Sequence, residues 1–222
     1  ARQIREPVDS TTAKGHAFDR ITNHKGRGVL AIMERYVGED GFRNGVRLHM
    51  QRHTDGVATA EDFMASLAEG SGRAEVIPAF ESFIEQPGVP LVSASVVCEE
   101  GRKPMMELSQ GRYAPLGSSI DPDSGQWQIP VCVSYDDEGV NKSTCAMLNE
   151  KSKSIELESN ACPSGLHPNA DGAGYYRFSM DESWWDGLIA DLPGLSPSEA
   201  LVMADSLGAA FRAGNMPAAT YV

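Results

Sequence analysis

Several features that usually announce a function are missing from this 222-residue chain. Uninterrupted apolar runs reach only a handful of residues, as at Val29–Met33. A helix crossing a bilayer needs about 20, so no segment reads as a membrane span. No cluster of Lys and Arg occurs, although phosphate-rich partners require one. Nucleic acid and anionic membrane surfaces are therefore poor partners. The nucleophile elbow G-x-S-x-G, the phosphate loop and the dinucleotide fingerprint G-x-G-x-x-G are all absent. So is H-E-x-x-H, the helical zinc motif.

Charge and cysteine carry more information. There are 31 acidic and 19 basic residues, for a net charge of −12. The excess is uneven: residues 1–86 hold 13 acidic and 11 basic residues, and residues 87–222 hold 18 and 8. The four cysteines, Cys98, Cys132, Cys145 and Cys162, fall in one stretch of strand-like sequence, and none forms C-x-x-C. An even, clustered set favours two disulfides over four buried thiols, with three pairings open. On that ground the expected location is extracytoplasmic, periplasmic or secreted.

The periodicity changes along the chain. Val29, Leu30, Met33, Tyr36 and Val37 make one apolar helical stripe that Gly38 should end. A second helix is expected over Glu39 to His53, with Phe42, Val46, His49, Met50 and His53 on one face. A shorter helix is expected around Ala17 to Thr22. T-A-E-D at 59–62 reads as a capping box opening a third helix that Gly70 stops. A fourth carries Val76, Ile77, Phe80, Phe83 and Ile84, and ends before Pro87 and Pro90.

Short Val- and Ser-rich segments follow, separated by turn residues: Leu91 to Cys98, Lys103 to Gln110, Trp127 to Tyr135, Lys142 to Leu148, Ser154 to Glu158 and Tyr175 to Met180. This pattern predicts a small β-sandwich. Helices return at Asp181 to Leu192 and at S-P-S-E, 196–199, a second capping box with proline at the first helical position. Pro217 opens a further helix five residues before Val222, which suggests a piece of a longer protein.

Candidate chemistry is thin. His49 and His53 are spaced i, i+4, as two zinc ligands on a helix would be, but H-M-Q-R-H lacks the glutamate base and an obvious third ligand. Packed or solvated histidines are the simpler reading. D-P-D-S-G at 121–125 resembles a calcium loop, yet its twelfth position is Cys132, so a turn is expected. Asn141-Lys-Ser143 fits a glycosylation sequon, a weak pattern.

The run F-D-R-I-T-N-H-K-G-R-G-V-L-A-I-M-E-R-Y-V-G-E-D-G-F-R-N-G-V-R-L-H-M, Phe18 to Met50, resembles the zinc aminopeptidases of the alanyl-aminopeptidase family (gluzincins, thermolysin-like). A-T-A-E-D-F at 58–63, F-I-E-Q-P-G-V-P-L-V at 83–92, W-Q-I-P-V at 127–131, G-Y-Y-R-F at 174–178 and L-S-P-S-E-A through R-A-G at 195–214 agree in order. The resemblance implies an α+β multidomain fold. Residues 1–87 would be the helical end of a catalytic domain, 88–180 a β-sandwich, and 181–222 the first helices of a truncated C-terminal helical domain.

It also implies a metalloexopeptidase that removes N-terminal residues from peptides through a zinc-activated water. The family's zinc motif and its G-x-M-E-N amine site do not occur in these 222 residues. No cofactor or metal site is therefore expected here, the chain alone should be inactive, and zinc belongs to the parent. The parent's partners would be its peptide substrate and the preceding catalytic subdomain, whose loss should expose a helical face open to dimerisation. One functional position falls inside: the family's oxyanion-stabilising tyrosine, in Y-x-K-G, corresponds to Asn23 in N-H-K-G. Asparagine can donate from its amide but is shorter; His24 lies beside it, and Asn23 also suits a helix cap. The alternative without peptidase ancestry is a binding or scaffolding module with an acidic sandwich.

Overall fold

The computed structural model describes residues 3–5 and 20–216. They form two compact units, Ala1–Pro87 and Gly88–Val222, and the fold is α+β. The helix expected around Ala17 to Thr22 lies partly outside the described residues, and that expected after Pro217 wholly so.

The first unit is helical. Helix α1 spans Arg20–Arg52 and is broken at Gly38, whose φ of 78° and ψ of 159° no helix contains. Glycine adopts that conformation without a Cβ penalty, so the break falls where the apolar stripe ends. Helix α2 is Ala60–Ser71; Thr59 accepts from the Asp62 N–H, and the Asp62 carboxylate accepts from the Thr59 N–H at 2.8 Å. Helix α3 is Val76–Glu85. Their shared core contains Val29, Ile32, Met33, Met64, Leu67, Val76, Ala79 and Phe83.

Gly70 does not stop α2, as its composition suggested; the left-handed residue is Gly72, at φ 68°. Gly70 instead lies against Gly45 of α1. A Cβ on Gly70 would sit 2.4 Å from the Gly45 nitrogen, and one on Gly45 would sit 2.7 Å from the Leu67 Cα. Two glycines thus let two helix backbones meet.

The second unit has two sheets among the described residues. The first has order β5-β2-β1-β7, built from β1 (Pro90–Val97), β2 (Met105–Arg112), β5 (Ser152–Glu156) and β7 (Arg177–Ser179). The second has order β4-β3-β6, from β3 (Ile129–Asp137), β4 (Val140–Leu148) and β6 (Gly165–His167). All pairings are antiparallel except β1 with β7, which is parallel and places Val92 opposite Phe178. Alternating burial along β1 and β2 puts Val92, Ala94, Met106 and Leu108 inside. Strand β3 is buried from Ile129 to Val133 and again at Tyr135, which fits its place between β4 and β6.

Gln110 ties the two sheets together. Its Nε2 donates to the Trp127, Leu148 and Glu150 carbonyls, and its Oε1 accepts from the Trp127 N–H. Backbone groups at strand ends are thereby satisfied in the interior, where an unpaired one costs about 1–3 kcal/mol.

Helix α4 (Glu182–Ala190) and helix α5 (Pro197–Arg212) close the unit. Ser196 and Glu199 form the predicted capping box, with Pro197 at the first turn. Helix α5 covers the β7 edge, where Ser206 Oγ accepts from the Phe178 N–H at 3.2 Å and Arg177 pairs with Asp205 at 2.8 Å. Covering an edge removes a template for unwanted strand pairing. The α5 carbonyls of Ala209 and Arg212 accept from the Tyr113 hydroxyl and the Leu116 N–H.

The structure pairs Cys98 with Cys162 and Cys132 with Cys145. The second pair faces itself across β3 and β4, in direct register. Asp121 accepts from the Asp123 N–H at 3.0 Å through its side chain and from the Ser124 N–H through its carbonyl, the turn expected there.

Candidate functional site

The early turns of α1 carry Asn23, His24 and Lys25. Asn23 lies inside the helix rather than at its cap, because the helical conformation already holds at Arg20. Its side chain and that of His24 are exposed. Two residues on, Lys25 is the opposite: only 2% exposed, it donates from Nζ to the Gln86 carbonyl at 2.7 Å. Burial pushes its ammonium pKa down to about 8. Gln86 follows the last residue of α3, and its Nε2 donates to the Ser82 carbonyl at 3.1 Å.

The K-G and Q-P-G segments, far apart in sequence, are therefore joined by one hydrogen bond. Sequence reading missed this, because lysine is seldom buried and periodicity gives it no apolar weight. The lysine stem can lie along apolar surface while its head seeks a carbonyl.

His49 and His53 do come together, with ring centroids 4.8 Å apart and a 40° tilt. Phe63 meets His49 edge-on at 5.3 Å, and the Asp62 carboxylate is held by Thr59. This is a packed surface against α2. A catalytic zinc needs three protein ligands and an open position. Among the described residues no group of three or more His, Cys, Asp or Glu side chains could hold a metal ion. The donor set among the described residues does not fit the zinc that the resemblance implies for a parent enzyme.

A second feature went unforeseen. A cavity of about 470 Å³ lies beside β3, β6, α4 and α5 and is lined by Ser134, Asp136, Asn141, His167, Asp191 and Glu199. His167 is 3% exposed. Its Nδ1 accepts from the Asn169 N–H at 3.2 Å, which leaves Nε2 to face the Glu199 carbonyl at 3.4 Å as donor. Burial lowers its pKa, against the smaller opposing pull of Glu199. The polar lining groups are spoken for: Asp136 accepts from Ser164, and Glu199 caps α5 and accepts from the Asp171 N–H. The cavity wall reads as a hydrogen-bonded frame. No helix is long and apolar enough to cross a membrane among the described residues.

Comparison with known proteins adds the remaining finding. Residues 1–84 match the family described as the peptidase family M1 domain. The probable M1 family aminopeptidase 1 of Encephalitozoon cuniculi is 31% identical over 212 residues, which is 95% of this chain and 23% of that protein. Aminopeptidase M1 of Arabidopsis thaliana is 31% identical over 207 residues, 86% of this chain and 22% of that protein. Aminopeptidase 2, mitochondrial, of Saccharomyces cerevisiae is 28% identical over 211 residues, covering 88% and 21%. The chain spans less than a quarter of the length of these relatives. They also correct the expected location. The yeast relative is named as mitochondrial, which overturns the extracytoplasmic reading. That reading took cysteine clustering as a sign of compartment, whereas pairing in a fold reports only that the sulfurs lie close together.

Proposed function

Because this chain belongs to the M1 peptidase family, we propose that it is a section of a zinc-dependent aminopeptidase, an exopeptidase that releases N-terminal residues from peptides. The observation that carries the reading is the 31% identity running along 95% of the chain to a protein named as an aminopeptidase. Residues 1–87 would form the helical end of the catalytic domain, 88–180 a sandwich, and 181–222 the opening of a helical domain. The metal-binding and amine-binding motifs would lie in the remainder of the parent, since neither occurs in these 222 residues. The isolated chain would then be inactive.

Within the parent, this chain's contribution would be positional. Asn23 stands where the family's oxyanion-stabilising tyrosine stands, and an amide N–H there could donate to the developing charge. Lys25, held to Gln86, fixes the helix turn that carries it. One oxyanion donor is worth about 10²–10³ in rate. Restoring the longer donor with N23Y in the whole enzyme should raise kcat with little change in KM.

The direct test is hydrolysis of an aminoacyl anilide by the purified 222-residue chain, with and without a chelator. No turnover is expected. Chelator-sensitive release of N-terminal residues would overturn the inactive-section reading. Reading the coding sequence upstream tests the family reading separately. H-E-x-x-H is expected there, and an intact gene without it would favour the binding-module alternative.

A further inference from the structure

The two disulfides differ in their surroundings. Cys132 is 5% exposed in the middle of β3 and faces Cys145 in the adjacent strand. Cys98 and Cys162 are both exposed and belong to loops, one after β1 and one before β6. A surface cavity of about 510 Å³ opens on them, lined by both cysteines, residues 99–104, Asn160 and Ala161. Both sulfurs of the first pair therefore face a small molecule, whereas in the second Cys132 is buried and Cys145 only half-exposed.

We propose that Cys98–Cys162 is a thiol–disulfide exchange site for a low-molecular-weight thiol of the glutathione type, and that Cys132–Cys145 is inert. The chemistry is balanced by the thiol itself. Its thiolate attacks one sulfur of the pair, a mixed disulfide forms, and the Cys98–Cys162 bond breaks. The departing cysteine leaves as a thiolate and takes a proton from water. A second thiol then attacks the mixed disulfide, so that two small thiols become one small disulfide and the protein gains two thiols. Access to the sulfur is one of the factors that set the rate of such reactions.

The loops are built to survive the opened state. The Leu157 N–H donates to the Pro104 carbonyl at 2.9 Å. Lys103 bridges Glu156 at 2.9 Å and Glu158 at 3.3 Å. Lys142 donates to the Glu158 carbonyl at 2.7 Å, and Tyr135 Oη accepts from the Glu158 N–H at 3.1 Å. These contacts bracket the cysteines and hold the two loops together without the covalent bond, which keeps the thiols close enough to pair again. The small disulfide, as oxidant, can then re-form the bond by the reverse exchange, releasing two small thiols, and the sheets do not unravel.

The folded chain should be incubated with reduced glutathione and quenched with N-ethylmaleimide at timed intervals, and each cysteine located by peptide mass mapping. Cys98 and Cys162 should become labelled at least tenfold faster than Cys132 and Cys145, with a glutathione adduct on one of the first two. The far-UV circular dichroism should not change during that phase. Equal rates, a reversed order, labelling only after denaturation, or loss of the fold together with the fast phase would each overturn the proposal. The C98S/C162S double variant should lose the fast phase and keep the slow one. If that variant does not fold, the labelling order in the unaltered chain still decides.

Discussion

The helical unit and the sheet unit solve the problem of backbone satisfaction in different ways. In residues 1–87 the helices satisfy their own backbones, so the unit is decided by how closely helices approach. There the decisive residues are small, Gly45 and Gly70, together with one buried amine that reaches a helix-end carbonyl. In residues 88–222 seven short strands leave many orphaned groups at their ends among the described residues. There the decisive residues are amides and cystines: Gln110 across the two sheets, Asn169 binding Gly174 through both N–H and carbonyl, and two covalent ties. A helical unit fails by crowding, and a sheet unit fails by losing a partner.

That contrast can be broken most severely at Gly70. G70A places a methyl 2.4 Å from the Gly45 backbone nitrogen, and neither backbone can yield without moving a helix. Overpacking of this kind should cost about 3 kcal/mol or more, read as a lowered urea midpoint. An unchanged midpoint would show that the glycine contact is dispensable.

In the sheet unit, C98S/C162S should cost about 2–5 kcal/mol. C132S/C145S should cost less, because its cysteines are separated by 13 residues rather than 64. Equal losses would argue against constraint of the unfolded chain as the source. Next comes Q110L, which keeps the bulk but strips four hydrogen bonds from Trp127, Leu148 and Glu150. A loss of about 2–3 kcal/mol is expected, and amide exchange at Trp127 should quicken.

Among the described residues each unit also carries one buried basic side chain, and their pH windows differ. His167 has a folded-state pKa below its ordinary 6.5, so the unfolded chain binds the extra proton first. Its contribution to stability is lost as pH falls below about 6.5. Lys25 has a folded-state pKa of about 8 against 10.5, so stability should rise as pH climbs from about 8 to 10.5. K25M should flatten the alkaline rise and H167Q the acid fall, each leaving the other in place. The smallest effect is at the surface. Arg43 pairs with Glu39 and with Asp40, at 2.8 Å for the latter, but all three side chains are exposed. R43A should cost about 0.5 kcal/mol or less, and salt should erase the difference.

Much of this architecture was legible before any coordinates. Both capping boxes fell where T-A-E-D and S-P-S-E placed them, because a cap is made by residues three apart. The break at Gly38 was readable because a single glycine takes a positive φ without a Cβ penalty. Six strand segments were found within a few residues of their ends. Strand β6 was not, since Gly165–His167 has three residues and no alternation to detect. Nor was the parallel pairing of β1 with β7, which joins segments about 86 residues apart. Gly70 was misread because one residue type serves two purposes: it ends helices, and it lets them touch.

The family membership, most of the helical and strand segments, and the absence of a zinc motif follow from the order of residues alone, because each is a short-range pattern or a collinear match. The burial of Lys25 against Gln86, the meeting of Gly45 with Gly70, and the choice of which cysteines pair required the folded chain. These depend on distances between segments remote in sequence. No local rule sets such distances; they emerge only when the packed helices and sheets fix where every backbone group lies.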